Sequence, residues 1–133
     1  HRDLHSFPTR RSSDLFAQRL IRRVCTHCGR RVRPSRSALE FWGLPQDEDI
    51  EFVEAVGCAR CLNSGYQGRT GVFEVMLVDD TIKSLIAARA TTLEINRAAC
   101  ESGSMRTLKQ DAAEKIRKGI TTSDEAMSIV GGA

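Results

Sequence analysis

Two pairs of cysteines constrain this chain more than any other feature of its sequence. They are Cys25 with Cys28 and Cys58 with Cys61, each spaced as C-x-x-C, and residues 29–57 separate the two pairs. Two such knuckles can place four thiolates at the corners of a tetrahedron, which is the coordination that zinc takes in structural sites. We therefore predict that these four cysteines are metal ligands.

The residues around the first knuckle refine this prediction. His27 lies inside it and is an alternative ligand, although four thiolates already fill a structural zinc site. Gly29 follows the knuckle directly, and we expect it to adopt a positive φ in the turn. A filled coordination sphere leaves no position for a catalytic water, so we predict a structural metal and name no catalytic or cofactor-binding residue.

The cysteine count also bears on the compartment. Five cysteines are an odd number, which argues against a fully paired disulfide framework and favours a reducing cytoplasm. The fifth, Cys100, follows two alanines and is predicted to be a small core residue. No run of eighteen apolar residues is present, so we expect no membrane insertion. Since the chain starts with His1 rather than Met, we expect a piece of a longer protein.

The first part of the chain changes character near residue 16. Residues 1–15 contain Ser, Arg and Pro with little apolar periodicity, so we predict a disordered or non-native segment. Apolar residues then recur at helical spacing over residues 16–24, which predicts a helix leading into the first knuckle. A short helix is predicted at residues 37–44, with Ser37 as its cap and Gly43 at its end.

Seven arginines and no acidic residue lie between Asp14 and Glu40. One interpretation is a nucleic-acid-binding patch beside a zinc ribbon. The other is that arginines offset the negative charge of a zinc ion bound by four thiolates. We favour the second, because no aromatic residue for base stacking lies between Arg19 and Arg36.

The second half of the chain predicts one strand followed by helices. Apolar residues on both faces of residues 72–78 indicate an interior strand. Four helices in a small bundle are predicted over residues 79–133, where glycines at 103 and 119 end two of them. The residues expected to cap these helices are Asp79 or Asp80, Thr91 with Glu94, and Thr122 with Glu125.

Several motifs occur together in one order. They are Q-R-L at residues 18–20, the two knuckles, G-Y-x-G-R-T-G-x-x-E at residues 65–74, V-D-D at residues 78–80, G-S-M-R-T-L at residues 103–108 and G-I-T-T at residues 119–122. This arrangement resembles the C-terminal part of the type II secretion and type IV pilus assembly ATPases. The resemblance covers residues 16–130.

The resemblance implies an α/β fold, mostly α in this chain. The chain would be the C-terminal part of a RecA-like P-loop ATPase domain with a four-cysteine zinc subdomain inserted and a small C-terminal helical bundle. Residues 16–68 would be the end of the ATPase core leading into the zinc subdomain, and residues 69–78 a strand returning to the core. Residues 79–133 would be the bundle. The family's metal ligands fall on Cys25, Cys28, Cys58 and Cys61.

The same resemblance implies a function for the parent protein. It would be a cytoplasmic homo-hexameric ATPase that powers type II protein secretion or type IV pilus assembly. Its partners would be an inner-membrane platform and components at the cytoplasmic face, and these partners would hold it peripherally at the inner membrane. Structural Zn²⁺ would bind to this chain, whereas ATP and Mg²⁺ would bind only to the full-length parent.

One motif of the family is missing from this sequence. A P-loop requires G-x-x-x-x-G-K-[ST], and none of the four lysines at positions 83, 109, 115 and 118 lies in that context. We therefore do not expect this chain to hydrolyse ATP by itself. Two alternatives remain, a zinc-ribbon nucleic-acid-binding module and a thiol–disulfide redox protein that uses a C-x-x-C pair.

Overall fold

A computed structural model describes residues 15–130 of the chain. The segment predicted to be disordered or non-native therefore lies outside the described residues, except for Leu15. The described part alternates strands and helices, which confirms a mixed α/β fold. The elements are β1 (Leu15–Val24), β2 (Arg30–Val32), α1 (Arg36–Trp42), β3 (Phe52–Glu54), a 3₁₀ turn (Ala59–Cys61), β4 (Tyr66–Met76), α2 (Asp80–Ala87), α3 (Thr92–Ser102), β5 (Met105–Arg106), α4 (Leu108–Arg117) and α5 (Ser123–Val130).

A three-stranded sheet has the order β1-β4-β5. β4 is its central strand, as predicted from the apolar residues on both of its faces. Val72 and Met76 are buried within β4. β5 pairs antiparallel with the end of β4, where Val75 lies opposite Arg106. The interior strand thus finds its partners within this chain.

The helix predicted over residues 16–24 is wrong, because this segment is strand β1. Its apolar residues are spaced as on a helix, yet Leu20 is 57% exposed while Ile21 and Val24 are buried. A pattern this short does not separate helix from strand. Pairing with β4 satisfies the backbone of the segment and outweighs its local pattern.

β2 and β3 form a two-stranded antiparallel sheet, and three of the seven arginines of the cluster lie in β2 or directly after it. Arg30 lies opposite Glu54 and Val32 opposite Phe52. The arginines of this sheet are ion-paired with carboxylates from residues 48–54. The pairs are Arg30 with Glu54, Arg31 with Glu51, and Arg33 with Asp49. Acidic residues distant in sequence therefore offset these arginines, which neither interpretation of the cluster anticipated, and such exposed pairs stabilise the fold only slightly.

Helices α2 to α5 form two pairs, one in each of two compact units. Among the described residues, 15–17 and 74–107 form one compact unit, and 18–73 with 108–130 form a second. α2 packs against α3 in the first unit, and α4 packs against α5 in the second. The first unit has a small buried core, and the second has a larger one. The buried residues of these cores are Met76, Ile82 and Ala99 in the first unit, and Ile21, Leu39, Trp42, Ile50, Phe52, Val72, Ala112, Ala113, Ile116 and Ala126 in the second.

Most of the predicted helix ends are confirmed. Asp79 caps α2, and Thr91 forms a capping box with Glu94 at the start of α3. At α1 the cap is Ser35 rather than Ser37, and its hydroxyl accepts a hydrogen bond from the N–H of Ala38 at 3.1 Å. Cys100 is exposed, so its assignment to a core is wrong. None of the helices in the described part of the chain has the length and apolar character needed to cross a membrane.

Candidate metal centre

The first knuckle joins the end of β1 to the start of β2. Cys25 follows the last residue of β1 and is fully buried. The N–H of Gly29 donates to the carbonyl oxygen of Cys25 at 2.9 Å, which closes the turn. A Cβ at position 29 would lie 2.9 Å from that oxygen and 3.0 Å from Cγ1 of Val53. Close approach, and not the positive φ that we expected, therefore explains glycine here.

The second knuckle follows β3 and reverses the chain within a few residues. Gly57 has a φ of 113°, and both Leu62 and Asn63 adopt left-handed backbone conformations. The N–H of Asn63 donates to the carbonyl oxygen of Cys58 at 2.8 Å. These turns wrap the main chain around the sulfur atoms of the knuckle.

The four predicted ligands lie together in the second unit. Their sulfur atoms all lie within 4.8 Å of one another. The distances from Cys25 to Cys58, from Cys28 to Cys61 and from Cys58 to Cys61 are each 3.8 Å. Four sulfurs placed tetrahedrally at about 2.3 Å from one zinc ion are about 3.8 Å apart, whereas a disulfide bond is about 2.0 Å long. The arrangement therefore fits a tetrahedral zinc ion.

Backbone amides point at these sulfur atoms. Sγ of Cys61 accepts hydrogen bonds from the N–H groups of Cys58 at 3.3 Å and Gly65 at 3.1 Å, and Sγ of Cys28 accepts one from Gly57 at 3.2 Å. Amide donors of this kind stabilise thiolates and hold them in orientation. Gly57 and Gly65 were not predicted to be donors, although Gly57 directly precedes the second knuckle and Gly65 lies four residues after it.

The environment affects the individual thiols differently. Burial opposes ionisation of Cys61, but the amides of Cys58 and Gly65 outweigh it and lower the pKa of this thiol to about 6. Burial raises the pKa of Cys28 to about 11. The N–H of His27 lowers the pKa of Cys25. Backbone amides thus favour the thiolate, the form that binds a metal, at Cys25 and Cys61, whereas burial opposes it at Cys28.

His27 does not belong to the group of clustered ligand atoms. Its Nε2 instead lies 3.1 Å from the guanidinium of Arg60, at hydrogen-bond distance. Because arginine only donates, Nε2 of His27 is the acceptor in this contact. The histidine is therefore held at the edge of the site while four cysteines face its centre.

The sequence matches a known protein family over most of its length. The model of the family described as type II/IV secretion system proteins matches residues 11–128. The chain belongs to this family. The matched range contains both knuckles, the whole of β4 and helices α2 to α4, which confirms the resemblance read from the motifs.

Individual relatives agree with this assignment. The chain is 38% identical over 116 residues to the type IV pilus assembly ATPase PilB of Thermus thermophilus, and this covers 86% of the chain and 13% of that relative. It is 32% identical to the type II secretion system ATPase E of Vibrio cholerae, over 96% of the chain and 26% of the relative. The type II secretion system protein E of Pseudomonas aeruginosa is 31% identical over 86% of the chain and 22% of its own length. The chain thus spans between about an eighth and a quarter of these relatives.

Gly65 provides a test of the geometry of this family member's candidate metal centre. In a Gly65→Ala variant the new Cβ would lie 2.6 Å from Cβ of Ala55, and φ at this position is 85°. We expect the clash to add to the strain of a left-handed alanine, which is about 1–2 kcal/mol. The midpoint of urea unfolding, compared with that of the wild type, measures the loss of stability.

The matched control is Gly43→Ala, where φ is 70° and no atom lies within 4 Å of the new Cβ. We expect this variant to show the backbone strain alone. Equal losses of stability in the two variants would contradict the tight packing at Gly65.

Proposed function

We propose that this chain is the C-terminal part of an ATPase that powers type II protein secretion or type IV pilus assembly, and that it contributes a structural zinc lobe. The metal lobe comprises residues 25–65, from the first knuckle to the glycine after the second. The observation that carries the proposal is the group of four sulfur atoms at tetrahedral spacing, which lies inside the range matched by the secretion family.

The proposed role of the lobe is structural. Cys25 and Cys61 are buried, and Cys28 and Cys58 are partly buried. When bound, zinc supplies four strong bonds that join two knuckles distant in sequence, and its binding free energy becomes folding free energy. The amides of Gly57, Cys58 and Gly65 keep the thiolates oriented toward one point. Four protein ligands would complete the coordination sphere of zinc, which leaves no position for a catalytic water.

The nucleotide chemistry of the parent is proposed to reside outside this chain. A P-loop needs a lysine for the phosphates, and three lysines of this chain have other partners. Lys115 pairs with Asp111, Lys118 pairs with Glu114, and the ammonium of Lys109 lies 3.9 Å above the ring of Phe41. We propose that a RecA-like P-loop domain of the parent binds ATP and Mg²⁺. The parent would act as a homo-hexamer on the cytoplasmic face of an inner-membrane platform. The names of the relatives, which are pilus assembly and secretion ATPases, support the ATPase function proposed for the parent.

Metal analysis of the purified chain tests the zinc lobe. We expect about one zinc per chain, because four thiolates hold one ion. Thiol titration of the folded protein should find one reactive cysteine, which is the exposed Cys100, until a chelator or denaturant releases the other four. A metal-free protein with five freely reactive thiols would overturn the lobe.

The same preparation tests the other parts of the proposal. We expect no ATP hydrolysis by the isolated chain, since none of its lysines lies in a P-loop. Turnover of ATP by the chain alone would contradict this division of roles.

The nucleic-acid alternative requires salt-dependent binding of DNA or RNA. We expect none at low salt, because no aromatic residue for base stacking lies between Arg19 and Arg36.

A further inference from the structure

The end of β1 is held by a segment far away in sequence. The N–H of Val24 donates to the carbonyl oxygen of Ile120 at 2.9 Å, and the N–H of Cys25 donates to the carbonyl oxygen of Gly65 at 2.9 Å. Cys25 is fully buried, and neither of these bonds belongs to its own knuckle. The main chain that leads into Cys25 is therefore held by Ile120 as well as by Gly65 of the metal lobe.

Ile120 lies in the joint between α4 and α5, which we define as residues 119–125. α4 ends in a tight turn, in which the N–H of Gly119 donates to the carbonyl oxygen of Ile116 and that of Ile120 to Lys115, both at 3.0 Å. φ of Gly119 is 78°, a conformation that favours glycine. This turn sets the direction in which the joint leaves the helix.

Thr121 makes the second connection from the joint to β1. Its side chain is fully buried, and its hydroxyl donates to the carbonyl oxygen of Arg22 at 2.8 Å. A buried hydroxyl is costly unless it is hydrogen-bonded. Arg22 and Val24, the two residues bound by the joint, lie within three positions of Cys25.

Glu125 makes the third connection. One of its oxygens accepts from the backbone N–H of Arg22 at 2.8 Å, and the other accepts from the guanidinium of Arg22 at 2.8 and 3.1 Å. These bonds hold the pKa of Glu125 below its usual range. The predicted capping box is therefore only half formed, since Thr122 accepts from the N–H of Glu125 while the carboxylate binds β1.

The joint also reaches the chain that leaves the second knuckle. The hydroxyl of Thr122 lies 2.8 Å from that of Tyr66, and the guanidinium of Arg22 lies 4.1 Å from the centre of the Tyr66 ring. Tyr66 directly follows Gly65, whose N–H donates to Sγ of Cys61. The joint thus contacts Val24, which precedes Cys25 of the first knuckle. It also contacts Tyr66, which follows the residue whose amide donates to Cys61 of the second knuckle.

We infer that the joint at residues 119–125 positions the metal centre, so that zinc binding by the four cysteines and docking of α5 onto β1 stabilise each other. Thr121 is a positioning residue in this scheme, because it acts through β1 and not on the metal. The inference rests on the proposed zinc lobe. A coupling between two sites is reciprocal, so it can be measured from either end.

The first measurement is zinc affinity, determined by competition with a chromophoric chelator. Thr121→Val keeps the shape of the side chain and removes its hydroxyl. We expect its zinc affinity to fall by up to about 10-fold, because loss of a direct outer partner of a metal ligand costs about 10- to 100-fold and Thr121 acts only through β1. Thr121→Ser restores the donor and should return the affinity toward that of the wild type.

A control separates positioning from general loss of stability. Ile116→Val removes one methyl group from the fully buried core of the same unit, and it should lower stability without lowering zinc affinity. Equal zinc affinities in the wild type and Thr121→Val would overturn the inference while leaving the zinc lobe intact. A fall in affinity for Ile116→Val as large as that for Thr121→Val would also overturn it.

The second measurement uses the unmodified chain and does not depend on any variant folding. Removing zinc with a chelator should speed hydrogen exchange at Val24, Glu125 and Ala126, whose amides donate within or next to the joint. The amide of Ile95 in α3 is the internal reference, because it lies in the other unit. Unchanged exchange in the joint after zinc removal would overturn the inference, and absence of zinc from the wild type would overturn the zinc lobe as well.

Discussion

Replacing Cys61 with serine is expected to remove the zinc-dependent part of the chain's stability. Cys61 is buried and accepts two amide hydrogen bonds, and a serine hydroxyl is a poor substitute for a thiolate ligand of zinc. At free zinc about 1,000 times its dissociation constant, binding stabilises a protein by about 4 kcal/mol. Urea unfolding of the wild type and of Cys61→Ser, each with zinc and with a chelator, measures this difference.

The matched control is the same substitution at Cys100, which is exposed and lies in the other unit. We expect Cys100→Ser to bind zinc and to gain stability from it as the wild type does. The prediction fails if Cys61→Ser keeps the full zinc response, or if the wild type unfolds at the same urea concentration with and without zinc.

Replacing Trp42 with alanine is expected to cost about 3–5 kcal/mol of unfolding free energy, as for other buried aromatic residues. Trp42 is 4% exposed and lies in the core of the second unit. Its ring meets that of Phe41 edge-on at 4.9 Å, and its Nε1–H donates to Oγ of Ser123 at 2.9 Å. The residue thus connects α1, which lies between the knuckles, to the start of α5. Circular dichroism should follow the unfolding, since the variant lacks the chain's one tryptophan.

Two further variants divide this loss into its parts. Trp42→Phe keeps an aromatic ring and loses the bond to Ser123, so we expect a smaller cost than for alanine. Leu93→Ala changes a side chain that is 66% exposed and should alter stability by less than about 0.5 kcal/mol. A loss for Trp42→Ala no larger than that for Leu93→Ala would contradict the core position of Trp42.

The candidate metal centre was predictable because its evidence is local in the sequence. A C-x-x-C spacing aims two sulfur atoms at one point, and a second such pair supplies the others. The structure brings all four together. The caps at Asp79, Thr91 and Gly103 were predictable for the same reason, since an N-cap binds the residues that follow it and a C-cap binds the residues that precede it, within three or four positions.

Strand β1 was not predictable in this way. The apolar spacing of residues 16–24 matches a helix, and the strand forms because β4 offers backbone partners to it. β4 lies more than forty residues further along the chain. The separation of the helices into two pairs has the same origin, because packing partners follow from the whole fold and not from each helix's own pattern.

The partners of several charged residues were also not predictable from the neighbouring sequence. No acidic residue lies between Asp14 and Glu40, yet antiparallel pairing of β2 with β3 brings Glu54 to Arg30 and Glu51 to Arg31. Glu125 matches a capping box, but its carboxylate binds Arg22, more than one hundred residues away in sequence. The two cysteine pairs, most of the caps and the motifs of the family can be read from the sequence, because each of them is a short pattern of neighbouring residues. The tertiary structure alone decided the partners of β1, of the arginines and of Glu125, because hydrogen bonds and ion pairs form between groups that are close in space, wherever they lie along the chain.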